Sequence, residues 1–394
     1  MKMHSLFSMA TMACIGFATC LALAPAAATA QDPPDPPGPV SGLVNSELPN
    51  WLWMGGEERV RLEALHGAGF QPGRDTYPLQ RLRLQLGVRV RPWLKFSFEG
   101  QDSRVFFHDV APAPASLRNP MDLRQGYLEL GDAESGHIRL RAGRQSLHFG
   151  AGRLVEDSEW SNTGRTFDAA RLTLHGGAFQ LDAFSGAPVE VNRTGFDEPA
   201  GTERLHGLYG SIEKWIPNAT VEPYLLWRRM DLGFHEGTAP GWLDSKTTGF
   251  RWVGVLPRGF DYEMESMLQR GRWANQRISA WGSYWTLGYT RFESRYRPRF
   301  FMQLDRGSGD RNPNDNIHGG FSTLYSAADD GYDTASLFGG ANVMHARPGA
   351  TLQLKRNFAL TLAYHSYWRV SKFDGLYNGP GQTIVAAGAS QGRH

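Results

Sequence analysis

The chain has 394 residues, with 41 basic and 39 acidic side chains, a formal net charge of +2 and a mean hydropathy of −0.41. A near-neutral chain lacks the overall basic character of nucleic-acid-binding proteins, so nucleic acid is excluded as an expected partner. Only six of the 41 basic residues are lysine. This bias favours carboxylates or phosphates as binding partners, because arginine contacts them through two parallel hydrogen bonds.

The N-terminus has the pattern of an export signal. A positively charged start is followed by an apolar run over about residues 6–24 and by an Ala-Thr-Ala site that ends at Ala30. This pattern predicts a secretory signal peptide over 1–30, with an N-terminal membrane anchor as the alternative. The only two cysteines, Cys14 and Cys20, lie inside it. The predicted mature protein therefore has no disulfide, thiolate metal site or cysteine nucleophile.

Residues 31–50 are rich in proline, aspartate and glycine, which predicts a disordered leader before a single domain over 51–394. The clearest structural signal in that domain is the stretch from Pro78 to Gln101. Apolar side chains occupy every second position from Leu82 to Val90 and from Leu94 to Phe98, and polar residues or Gly87 lie between them. Period two is the period of a β-strand. Each half of this hairpin has the length of about ten residues that a tilted strand needs to cross a membrane.

Strand-like segments recur to about residue 370. They lie at 57–66, 78–91, 93–101, 123–130, 137–142, 166–175, 179–184, 205–215, 220–231, 247–255, 260–270, 278–291, 297–305, 337–346, 351–355 and 358–370. Short turns alternate with long polar loops, and tryptophans cluster near strand ends. No apolar run is long enough for a helical span after the signal. The pattern predicts an all-β, transmembrane antiparallel outer-membrane β-barrel with about 16 strands, whose apolar face meets lipid and whose charged face lines the lumen.

Two stretches carry a more specific signal. The first contains G-R-Q from Gly143, R-L-V from Arg153, W-x-N from Trp160 and R-x-F-D-A from Arg165. The second runs from Gly307 to an F-S-T-L-Y segment. In the order and spacing of these pieces, the protein resembles the bacterial alginate export family of outer-membrane channels.

The resemblance extends from about Glu57 to His394. It implies an eighteen-stranded, monomeric barrel with an arginine-lined lumen that passes an anionic polyuronate to the outside. Two further strands are therefore expected beyond His394, so the barrel domain is expected to be incomplete at its C-terminus. An unpaired strand edge is unfavourable in lipid.

The resemblance places a basic pore lining on the inward-facing arginines, interleaved with carboxylates. The expected pore-lining residues are Arg59, Arg81, Arg83, Arg89, Arg91, Arg139, Arg141, Arg144, Arg153, Arg165, Arg171, Glu63, Glu99, Glu129 and Asp168. Rings of arginine select anions, and many weak sites let an anion enter and leave. The alternative interpretation is that these ion pairs stiffen the barrel wall.

The leading hypothesis is a channel without catalytic residues, cofactor or metal, which resides in the bacterial outer membrane and exports or passes anionic polysaccharide or smaller anions. Expected partners are these anions, outer-membrane lipid and periplasmic proteins of polysaccharide synthesis and export. Two alternatives remain open. One is an outer-membrane barrel hydrolase that uses His108, His148, His235 or Ser158 at one rim. The other is a periplasmic polysaccharide-binding β-protein.

Overall fold

The computed structural model describes residues 39–67, 73–109, 113–131, 136–192, 195–233, 241–326, 338–379 and 381–388. A short helix, α1 (Pro39–Ser46), precedes the first strand. The side-chain amide of Asn45 bonds both backbone groups of Met54, at 2.7 and 2.9 Å. α1 lies within the segment 31–50 for which disorder is predicted, and this contact joins it to the first strand. The predicted signal peptide lies outside the described residues.

Antiparallel strands make up most of the described residues. The longer strands are β1 (Leu52–His66), β2 (Arg74–Arg91), β3 (Leu94–Val105), β4 (Asn119–Leu130), β5 (Ile138–Gln145), β6 (Phe167–Gly176), β7 (Phe179–Glu190), β9 (Glu203–Glu213), β10 (Ala219–Gly233), β11 (Gly241–Leu256), β12 (Phe260–Trp273), β13 (Gln276–Thr290), β14 (Arg299–Gly307), β16 (Val343–Lys355), β17 (Phe358–Ala363) and β18 (Ser366–Arg369). The shorter strands are β8 (Glu198–Pro199), β15 (Ile317–His318), β19 (Leu376–Tyr377) and β20 (Thr383–Val385). None of the helices in the described ranges is long and apolar enough to cross a membrane.

The predicted segments fall on these strands, with two differences. The segments at 337–346 and 351–355 belong to one strand, β16, and the segment at 358–370 is divided into β17 and β18. β1 to β18 form one 18-stranded sheet, in which the long strands pair antiparallel with their long neighbours in sequence. Two-residue turns join β2 to β3, β6 to β7 and β16 to β17 at the short-turn end. Loops such as 146–166 lie at the opposite, long-loop end.

The alternation in β2 divides the wall into two faces. Arg81 and Arg83 are buried, with 3% and 4% of their surfaces exposed, whereas Leu84 is 61% exposed. On β1, Val60 and Leu62 are 72% and 70% exposed. Because a slip of one residue would exchange the two faces, the apolar pattern defines the register. The apolar set faces outward and the charged set faces inward, as the alternation predicts.

The buried core lies inside the curved sheet. Residues 146–166, named here the inserted loop, place Leu147 and Phe149 in a cluster with inward side chains of β6 to β13. The same loop contacts β2, where Arg83 binds Glu159. Because one loop touches both parts of the wall, the sheet curves around it as a barrel. The inserted loop therefore occupies the lumen.

A second segment, 308–326, also enters the lumen at the long-loop end. The ring of Phe321 lies over Gly282 of β13, where an added Cβ would come within 2.7 Å of it. Glycine is required there because the ring approaches the backbone closely. Tyr325 of this segment forms a parallel bridge with Val155 of the inserted loop. The two segments therefore brace each other inside the barrel.

Candidate functional site

The lumen face of β1 to β6 is rich in arginine and is named the arginine wall. Three of its side chains converge on one carboxylate of the inserted loop. Arg83, Arg124 and Arg81 lie 2.6, 2.5 and 3.2 Å from the carboxylate oxygens of Glu159. Glu99 of β3 accepts a further hydrogen bond from Arg124 at 2.7 Å. The three guanidinium groups are buried, and charge-assisted bonds of this kind are stronger than neutral ones.

The arginine wall also binds the backbone of the inserted loop. Arg59 donates to the carbonyl oxygens of Glu159 and Ser161, at 2.7 and 2.9 Å. Arg61 donates to the carbonyl of Trp160 at 2.6 Å, and its guanidinium lies 4.3 Å from the centre of the Trp160 ring. The tip of the loop is thus held by charged donors on β1, in addition to those on β2 and β4.

The lumen face of β9 to β13 is lined by carboxylates and tyrosines and is named the acidic–aromatic wall. Arg153 of the inserted loop lies 3.5 Å from Glu265 and 3.6 Å from Glu263. Its guanidinium stacks 4.4 Å from the centre of the Tyr284 ring. The hydroxyl of Tyr224 donates to Glu265 at 2.8 Å. The inserted loop therefore places the basic residue Arg153 against the acidic–aromatic wall and the acidic residue Glu159 against the arginine wall.

An aromatic stack anchors the loop on the acidic–aromatic side. Phe149 lies between Phe184 and Tyr209, with ring centres 4.8 and 5.0 Å apart. Tyr209 stacks in turn on Tyr224 at 5.4 Å. The next loop residue, Gly150, has a φ of 59°, and an added Cβ would lie 2.4 Å from the Tyr209 hydroxyl. Only glycine fits this close, left-handed turn.

One group of side chains in the inserted loop has the chemistry of a metal site. The ligand atoms of His148, Glu156 and Asp157 lie within 4.8 Å of one another, and among the described residues this is the cluster that could hold an ion. Burial, with the neighbouring Asp157 charge, raises the pKa of Glu156 to about 8. The hydrogen bond with Asp157 raises the pKa of His148. Burial opposes ionisation of Asp157, but the His148 hydrogen bond and the Arg124 charge lower its pKa overall.

Several predicted pore residues line the lumen nearer the short-turn end. Arg141 binds Glu129 at 2.8 Å, and Arg171 binds Asp182 at 2.8 Å. Arg139 forms no ion pair with any described residue, and neither does Arg89, whose side chain is exposed. At the other end, Glu63 pairs with Arg61 and accepts a hydrogen bond from Tyr77.

Two predicted pore residues lie on the outer face. Arg144 binds Asp168 at 2.8 Å, and both stand in register with the apolar outward set that includes Ile138. They lie an odd number of residues from Arg141 and Arg171, so the strand alternation turns them outward. Their assignment to the lumen is therefore wrong.

The positions of three other predicted pore arginines do not follow from the alternation of side chains along a strand. Arg91 follows a register shift and lies opposite Leu94 at the end of β2. Arg153 and Arg165 belong to the inserted loop, where Arg165 donates to the carbonyl oxygens of Tyr325 and Ser326 at 2.5 and 3.0 Å. Arg153 connects the inserted loop to the acidic–aromatic wall, and Arg165 connects it to the segment 308–326.

Sequence reasoning missed Glu159, Arg124 and the acidic–aromatic wall. Arg124 lies at a bulge where β4 changes register against β3, so period-two counting places it on the wrong face. Glu159 lies in a loop, where no periodicity applies. The one available signal was the density of charged residues between Arg153 and Arg165.

Three of the four residues suggested for a hydrolase, His108, His148 and Ser158, lie in the described part of the protein. His108 lies 3.5 Å from Asp75, and His148 lies 3.8 Å from Asp157. Within the described ranges, the Ser158 hydroxyl makes no hydrogen bond with a histidine. His235 lies outside the described residues.

Comparisons with known proteins agree with this architecture. The family model described as alginate export matches residues 50–394. No curated protein sequence matches this protein. Similar solved structures include Acinetobacter baumannii OccAB1, with a TM-score of 0.53 and 13% identity, where the match spans 80% of the present protein and 79% of OccAB1. Pseudomonas aeruginosa OccK11 (OpdR) has a TM-score of 0.51 and 12% identity, and the match spans 81% of the present protein and 79% of OccK11. At these identities the likeness establishes the fold.

Proposed function

The chain belongs to the alginate export family and forms an outer-membrane channel, and from this premise we propose that it passes an anionic polysaccharide, an alginate-like polyuronate, or smaller anions. The observation that carries the proposal is an imbalance of charge on the arginine wall toward the short-turn end. The basic side chains there are Arg89, Lys95, Arg139, Arg141 and Arg171, against the carboxylates of Glu129 and, on the adjoining β7, Asp182. A lumen with low-dielectric walls focuses such a field and concentrates anions.

The arginines deeper in the lumen have a different role in this proposal. Arg81, Arg83 and Arg124 are already bound to Glu159. A uronate carboxylate has the same charge and geometry as the Glu159 side chain, so it competes for the same three guanidinium groups. The substrate would therefore enter along the exposed arginines and exchange with Glu159 as the tip of the inserted loop moves aside.

The proposed activity is passage without catalysis. The charged side chains of the lumen are arranged in ion pairs between loop and wall, which suit binding and release of a polyanion. A monomeric state and periplasmic export proteins as partners stay predictions.

The proposal is tested by blocking single channels in planar bilayers. An oligomeric uronate should reduce the current at concentrations at which a neutral oligosaccharide of equal length has no effect. Changing Arg89, Arg139 and Arg141 together to Lys should keep the anion preference but weaken the block, because the bidentate contact is lost. Equal block by the neutral oligosaccharide would contradict the proposal.

A further inference from the structure

The outer face of the barrel carries a second concentration of arginine, unrelated to the lumen. It lies on β10 to β13 at the long-loop end. Its members, named the outer basic patch, are Arg229, Lys246, Arg270, Arg272 and Arg277. All five are exposed. Their inward neighbours Leu243, Gln269 and Ile278 are buried in the lumen, so the alternation turns the patch outward.

The strand register makes this patch continuous. Arg229 on β10 lies opposite Asp244 on β11, which lies opposite Arg272 on β12 and then Arg277 on β13. The next rung contains Trp227, Lys246, Arg270 and Ser279. Opposite residues on adjacent strands have Cβ atoms about 4.5–5.5 Å apart. Five cations therefore share an area two rungs high and four strands wide, with Asp244 as the carboxylate within it.

The patch lacks the ion pairs that neutralise some other outward cations. On β3 and β5, at the same end, Arg104 pairs with Asp102 at 2.6 Å and Arg144 pairs with Asp168 at 2.8 Å. Within the described part of the protein, Arg272 and Arg277 form no ion pair. Such a cluster of cations costs free energy through mutual repulsion unless an anion covers it.

An apolar groove adjoins the patch on the side of the short-turn end. It has a volume of about 770 Å³, and its outward lining includes Phe250, Leu268, Trp281 and Trp285. Small side chains such as Ser266 leave space between these bulky ones. The arrangement is a basic rim above an apolar slot, on the face of an outer-membrane barrel that meets lipid.

We propose that the outer basic patch and the adjoining groove bind a phosphorylated glycolipid of the outer leaflet, lipid A, with its phosphates on the arginines and an acyl tail in the groove. Arginine is suited to phosphate because its planar fork donates two parallel hydrogen bonds. The location fits, since the long-loop end of such a barrel is the outer-leaflet end. The site is independent of whatever passes through the lumen.

Native mass spectrometry of the full-length protein in detergent tests this proposal. Bisphosphorylated lipid A should remain bound to the unaltered protein, and dephosphorylated lipid A should bind roughly 100-fold more weakly, since each nearby cation contributes to binding of an anionic lipid surface. The triple variant Arg270→Gln, Arg272→Gln and Arg277→Gln should lose lipid A affinity to a similar extent. Heat-modifiable migration on gels verifies that this variant is folded.

The matched control changes Arg258, Arg291 and Arg295 to Gln, which removes the same charge at turns of the short-turn end. It should bind lipid A as the unaltered protein does. Equal affinity for dephosphorylated lipid A or for phosphatidylglycerol would overturn the proposal, as would equal loss in the control variant. If the triple variant does not fold, the comparison of the two lipid A forms on the unaltered protein decides.

Discussion

The arginine wall and the acidic–aromatic wall contact the same loop by different means. On the arginine wall, three buried guanidinium groups bind Glu159, whose side chain is 42% exposed to solvent. On the opposite wall, Phe149 is 7% exposed and stacks between two aromatic rings. Packing of this kind does not depend on charge, whereas the contact at Glu159 involves a group that solvent and anions can reach. The difference indicates that the inserted loop is anchored on one side and releasable on the other.

The anchor provides the largest expected effect. Phe149→Ala should lower the free energy of unfolding by about 3–5 kcal/mol, because it removes a buried aromatic side chain and leaves a cavity. Thermal or denaturant unfolding in detergent measures the loss, which should be the same at low and high salt. Phe179→Ala, on an exposed outward ring of β7, is the matched control. A loss of less than about 1 kcal/mol would mean that the stack does not anchor the loop.

The releasable side should respond to charge. Glu159→Gln leaves Arg81, Arg83 and Arg124 short of a counter-charge, and breaking a buried pair costs about 3 kcal/mol at the low end of the usual range. The low end applies because the Glu159 side chain is partly exposed. Limited proteolysis should cut the loop faster and single-channel current should rise. Glu58→Gln, an exposed residue on the outer face of β1, should change neither.

The comparison of walls depends on which face of each strand points inward. Leu84→Arg places a charge among outward apolar side chains and should cost about 2–3 kcal/mol of folding free energy in lipid. Gln85→Arg, the next residue, turns into the lumen and should cost much less. Refolding yield into vesicles across a urea series compares the two. An equal refolding yield for the two variants would contradict the assignment of the outward and inward faces.

The smallest expected effect is a pH dependence of the loop. The pKa of Glu156 is raised from 4.5 to about 8 by burial, so its contribution to loop stability is fully present below about pH 4.5 and is lost as pH rises through 8. The raised pKa of His148 acts in the same direction. Proteolysis of the loop should therefore be faster at about pH 9 than at about pH 6, and Glu156→Gln should flatten this difference. Faster cleavage at the lower pH would contradict the assignment.

The positions of the strands, and the face to which each side chain points, could be predicted from the sequence because the alternation in segments such as β2 is strict. At each position an apolar side chain turns to lipid and a polar one to the lumen. The outward position of Leu84 and the inward position of Arg83 follow from this pattern. The position of an arginine along a strand could not show whether it binds a carboxylate of the inserted loop, because that depends on where the loop lies in the lumen. Arg83 and Arg89 look alike in the sequence, yet one is buried against Glu159 and the other is exposed.

The other errors have similar local causes. Arg144 follows Arg141 by three residues, so a cluster of arginines in the sequence is divided between the two faces. The bulge at Arg124 changes the face of one residue without any signal in the residue types. The periodicity of a barrel sequence therefore does not predict the long-range contacts between a loop and the barrel wall.

The most direct test of the central claim is the reversal potential of the channel across a salt gradient. We expect the unaltered protein to prefer anions, and the preference to weaken as salt rises, because screening shortens the reach of the arginine field. Arg89→Glu, Arg139→Glu and Arg141→Glu together should reverse the preference. The same charge change at Arg270, Arg272 and Arg277 on the outer face should leave it in place. A channel that prefers cations, or one indifferent to the lumen variant, would contradict the account.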